Sequence, residues 1–95
     1  MATLVIHHKV RDYDAWKAVF DDNEPLRRDH GATEHRVYRD AGDPNRVVIH
    51  TDFPSLEAAK GFMGDAALKA AMERAGVEGE PGFSYVELAE RKPYA

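Results

Sequence analysis

Hydrophobic and polar positions alternate over four stretches of the chain and recur at helical spacing over two others. Alternation marks Thr3–Val10, Thr33–Asp40, Arg46–Phe53 and Phe83–Ala89 as strands. In the first of these, Leu4, Ile6, His8 and Val10 share one face, and Thr3, Val5, His7 and Lys9 share the other. Apolar residues on both faces fit a central strand covered on both sides. Helical spacing spans Tyr13–His30 and Ser55–Ala75. The resulting order, strand–helix–strand–strand–helix–strand, is the ferredoxin-like βαββαβ unit. It predicts an α+β fold: a four-stranded antiparallel sheet with two helices on one face. The other sheet face is then left for a second copy of the chain.

Local signals refine the helices. Asp12 and Ser55 are suited to cap their N-termini, because a side-chain oxygen there accepts from an orphan backbone N–H. Pro25 removes one backbone donor, so the first helix should kink or restart near Asn23, which is placed to cap the restarted piece. Gly31 is the expected terminator. Gly61 and Gly64 weaken the second helix, with Asp65 available to cap a restart. Ala41-Gly42-Asp43-Pro44-Asn45 reads as the hairpin loop between the middle strands, and Gly76, Gly79, Pro81 and Gly82 as a loop before the last strand.

With 95 residues, the chain is expected to form one domain, residues 1–95. A core of that size is modest, and association would enlarge it. The net charge of −4, with scattered basic residues, gives nucleic-acid binding little electrostatic support. No cysteine is present, which excludes disulfides, thiolate nucleophiles and cysteine-held metals. The apolar run at the N-terminus is too short for a membrane span, so no membrane partner is expected and a cytoplasmic location is the default. No phosphate-binding loop, dinucleotide fingerprint or nucleophile elbow occurs, so no cofactor is implied.

Chemistry must come from elsewhere. Five histidines are the main reserve. If the first and third strands are adjacent, His7 or His8 comes near His50. Their spacing is not a metal motif, and no metal is assigned. A neutral imidazole can still serve as a general base, and His8 and His50 are the candidate catalytic residues. A helical stripe of Trp16, Phe20, Asn23, Arg27 and His30 joins an aromatic wall to polar groups, as a small ligand with one polar end would require. Such stripes more often serve as core, with Asn23 as a cap. Trp16, Phe20, Asn23, Arg27 and Tyr85 are the candidate substrate-binding residues.

The chain also resembles a known superfamily. The element order and the stretches Asp12-Tyr13-Asp14-Ala15-Trp16-Lys17, Asp43-Pro44-Asn45, Phe53-Pro54-Ser55 and Ala75-Gly76-Val77 are similar to those of dimeric α+β barrel proteins. Within these, the likeness is to the antibiotic biosynthesis monooxygenase-like and small cyclase-like groups. The resemblance implies a homodimer with sheets packed face to face, and a small-molecule pocket between sheet and helices in each subunit. It implies cofactor-independent oxygenation, or cyclisation or isomerisation, of an aromatic or polyketide-like compound. A non-enzymatic ligand-binding or stress-response module is the alternative. Haem degradation fits poorly, because Phe53 stands where that subgroup's tryptophan is expected.

Overall fold

The computed structural model describes residues 1–95. Its strands are β1 (Ala2–Val10), β2 (Glu34–Arg39), β3 (Arg46–Phe53) and β4 (Val77–Val86). They form one antiparallel sheet in the order β2-β3-β1-β4. Each expected helix is broken in two: α1 (Tyr13–Asp22) with α2 (Glu24–Asp29), and α3 (Leu56–Met63) with α4 (Ala66–Arg74). This is the α+β, ferredoxin-like arrangement that the hydrophobic pattern predicts.

The breaks fall where capping chemistry puts them. Asp12, Ser55 and Asp65 each accept a hydrogen bond from a backbone N–H in the first turn that follows, on Ala15, Ala58 and Ala67. The Asp65 carboxylate also meets His30 Nε2 at 2.9 Å, which ties the end of α2 to the start of α4. Gly31 ends α2 at φ +89°, in the left-handed region that glycine enters without a steric penalty. Asn23 differs from expectation. It occupies the cap position of α2, but its side chain makes no capping bond.

The last strand corrects the sequence reading of Phe83–Ala89. β4 begins at Val77, inside the glycine-rich stretch read as a loop, and ends at Val86. Its pairing with β1 jumps from His7↔Gly82 to Lys9↔Glu78, so β4 carries extra residues there as a bulge. Gly79 sits in that bulge at φ +70°. As β4 is an edge strand, Pro81 is tolerated there without a backbone donor. Beyond Val86 the strand stops because β1 has run out: Val86 already pairs with Thr3.

Helices cover one face of the sheet. Leu4, Ile6, Val10, Val47, Ile49 and Phe53 point into that layer and pack with Trp16, Ala59, Phe62, Leu68 and Ala75. Burying a valine, leucine, isoleucine or phenylalanine side chain contributes roughly 1.5–3 kcal/mol. The opposite face carries Val5, His7, Val48, His50 and Tyr38 under no helix. Arg36 and Asp52 form a two-pronged ion pair on it (3.0 and 3.1 Å), joined by a Thr3 hydroxyl that donates to Asp52 at 2.7 Å. No helix is long and apolar enough to cross a membrane.

Candidate functional site

Between the sheet and the helices lies a cavity with about 50 Å³ open to the centre of a water-sized sphere. Its floor is β1 and β3, through Ile6, His8, Ile49 and Thr51. One wall comes from α1 and α2, through Trp16, Val19, Phe20, Asn23 and Arg27, and the other from Phe62 and the apolar face of α4. Val19, Phe20, Asn23 and Met72 are the half-buried lining residues, which places the mouth between α1 and α4.

The aromatic wall is continuous. Trp16 is 2% exposed and stacks on Phe20 with ring centres 4.9 Å apart. The His8 ring meets Trp16 edge-on at 5.6 Å. The Arg27 guanidinium lies over the Phe20 ring at 3.8 Å and donates from Nη1 to the Phe20 carbonyl at 2.9 Å. Core packing and cavity wall are thus the same surface, so the two readings of the stripe are compatible.

Two polar side chains here break the usual rule for burial. His8 is buried, and neither ring nitrogen has a protein hydrogen-bond partner. Burial disfavours its charged form and pushes its pKa down to about 4, so the ring is neutral near pH 7. Arg27 is also buried, and its Nε and Nη2 have no protein acceptor. Burial lowers its pKa from the ordinary value, against the nearby negative charges of Glu24 and Asp21.

Strand parity brings His8 into the cavity and keeps His50 out. Val5, not Ile6, is opposite His50 across β1 and β3. His50 therefore lies on the open sheet face, 5.0 Å from Tyr38, where burial and the Arg36 charge lower its pKa. The two candidate bases do not share a pocket. Tyr85 pairs with Leu4 on the helix side and packs half-buried on the core, but does not line the cavity. His30 is likewise outside it, held by Asp65. Thr51, Leu68 and Met72 also line the cavity, the last two from the apolar stripe of the second helical stretch, Ser55–Ala75. Thr51 was findable, since it shares strand parity with Ile49. No three histidine, aspartate or glutamate side chains converge in a metal-binding group.

Residues 6–74, well over half of the chain, match the family described as antibiotic biosynthesis monooxygenase. The chain belongs to that family. Among curated proteins, none matches it in sequence. Solved structures share the fold. SnoaB, a cofactor-independent oxygenase from Streptomyces nogalater, superposes with a TM-score of 0.79 at 12% identity, over 98% of this chain and 97% of that one. A candidate antibiotic biosynthesis monooxygenase from Bordetella bronchiseptica gives 0.79 at 13% identity, over 94% and 97% of the two chains. A Nitrosomonas europaea protein of unknown function gives 0.72 at 17% identity, over 99% and 94%. Identities this low speak for the fold alone. Family membership supports a monooxygenase-like scaffold for small molecules, while the reaction must be argued from the site.

Proposed function

We propose that this protein takes a small aromatic or polyketide-like compound into the helix-side cavity and that His8 removes a proton from it. The observation that carries this reading is a buried, neutral imidazole with both nitrogens free of protein partners, on the wall of an apolar cavity. A structural histidine at this depth would normally be hydrogen-bonded. Neutral at pH 7, it is in the right state to accept a proton. Its basicity rises as the carbanion or enolate forms beside it, because a neighbouring negative charge favours the imidazolium.

The favoured outcome is cofactor-independent monooxygenation. A methylene group flanked by aromatic rings loses a proton to His8, and the carbanion is oxidised by dioxygen. One oxygen atom becomes the new carbonyl; the other leaves as water with the two hydrogens of the methylene. Trp16 and Phe20 form an aromatic wall against which a flat ligand lies, Asn23 offers a side-chain amide, and the apolar walls keep water from the reacting carbon. Cyclisation or isomerisation would start from the same proton transfer. In this reading residues 1–95 act as one domain in the cytoplasm, and two copies pair through the open sheet face.

Dioxygen uptake and quinone formation with a panel of anthrones and naphthols test the reading. Parent protein should turn over at least one of them, and His8→Gln should lose turnover while retaining its native Trp16 emission. Turnover unchanged in His8→Gln defeats the base assignment. Ligand binding without turnover in the parent favours the binding-module alternative.

A further inference from the structure

Arg27 holds an arrangement that neither the packing of α2 nor a proton transfer at His8 explains. It is 4% exposed and forms no ion pair, although carboxylates are near. Those carboxylates are engaged elsewhere: Asp21 with Lys17 at 2.6 Å, and Glu24 with Arg28 at 3.0 Å. The guanidinium is pinned on one side by its Nη1 bond to the Phe20 carbonyl and on its flat face by the Phe20 ring. What remains is its Nε–Nη2 edge, both atoms buried and without a protein acceptor. On a guanidinium these two nitrogens lie on the same side and direct parallel N–H bonds, the fork that receives both oxygens of a carboxylate. Arg27 lines the cavity that holds His8, and also borders a second, more polar cavity next to it, with Thr51 shared between the two.

We propose that the Nε–Nη2 edge of Arg27 is the seat of a carboxylate carried by the ligand, so that the compound taken into the cavity is an aromatic acid. This rests on the reading of the cavity as a small-molecule site and narrows its substrate class. A planar acid suits the site at both ends. Its carboxylate would complete a fixed fork, and its ring would lie against the wall that Phe20 and Trp16 form. Burial leaves the guanidinium with little water to compensate its charge, so a matching anion is worth more here than at the surface. The proposal also accounts for the retention of a buried arginine at a position where an apolar residue of similar length would pack without unpaired donors.

Benzoate and its neutral isostere benzamide are the probes, and quenching of Trp16, the chain's single tryptophan, is the readout. Benzoate should bind the parent at least about tenfold more tightly than benzamide, the worth of a charge-assisted hydrogen bond to a buried partner. Arg27→Met should erase that preference and leave the thermal midpoint of the ligand-free protein unchanged or higher. Arg27→Lys keeps the charge without the fork and should weaken benzoate by about tenfold. In His8→Gln the benzoate preference should persist, which separates this proposal from the base assignment. Equal binding of the two probes by the parent overturns the carboxylate seat, with no variant required. Benzoate binding unchanged in Arg27→Met or Arg27→Lys overturns it as well.

Discussion

Replacing His8 with leucine should make the protein more resistant to acid, and the size of the gain follows from burial. In the unfolded chain the imidazole titrates at its ordinary value of 6.5, and in the native protein at about 4. Between these values the unfolded chain binds a proton that the native protein refuses, so falling pH favours unfolding. The penalty is negligible above pH 7, grows through the window from 6.5 to about 4, and levels off below it. Moving from pH 7 to pH 4.5 should therefore cost the parent about 2 kcal/mol through His8 alone, from 1.36 kcal/mol per pKa unit. His35 and His50 are also lowered, first of all by burial, and push in the same direction. Both remain in His8→Leu, so the difference between the two proteins isolates His8. Urea unfolding followed by Trp16 fluorescence, at pH 7.0 and 4.5 and one fixed protein concentration, measures it. Leucine leaves no unpaired ring nitrogens, so the variant should be no less stable than the parent at pH 7. Parallel losses in the two proteins, within about 0.5 kcal/mol, would refute the neutral, unpartnered His8 on which the proposed chemistry stands.

Trp16→Ala should lose roughly 3–5 kcal/mol, the usual cost of removing a large buried aromatic side chain, measured by circular dichroism because the variant has no tryptophan. A loss below about 1 kcal/mol would mean that Trp16 is not core. The open face of the sheet should pair two copies over more than about 1,200 Å², and Val5→Asp should shift the protein to monomer in light scattering at micromolar concentration. A monomeric parent under those conditions contradicts the pairing.

Much of the fold was legible because its determinants are local. Asp12, Ser55 and Asp65 are recognisable caps, and each accepts the bond expected of it. The breaks near Asn23 and Gly64 follow from Pro25 and from glycine in a helix. β4 was misread at its start because Gly79 and Pro81 are loop residues by composition. They become strand residues only when β1 supplies a partner and the bulge absorbs them. The site was legible in part. Consecutive His7 and His8 had to face opposite ways, but which of them met the helices depended on the whole sheet. His50 depended further on its pairing with Val5 and Arg36, a matter of register that no short stretch encodes. Arg27 stands on the stripe that lines the cavity. Its isolation from acid partners is a matter of side-chain pairing that spacing does not encode: Glu24 stands three residues before Arg27 but pairs with Arg28.

Buried polar atoms show how differently the two faces of the sheet are used. On the open face the central charges are answered: Asp52 by Arg36 and Thr3, and Arg36 in addition by Glu34. At the helix end Asp65 satisfies both His30 and the start of α4. The buried side-chain atoms without protein partners are Nδ1 and Nε2 of His8 with Nε and Nη2 of Arg27. All four belong to two residues, and both residues line one cavity. An unmet buried donor or acceptor costs about 1–3 kcal/mol, so a domain this small carries a substantial penalty in one place. Packing defects would be scattered, and a simple core would have used apolar residues at both positions. Concentration of the unmet groups around a cavity, one able to take a proton and the other able to hold an anion, is the pattern expected where local stability has been given up for a ligand.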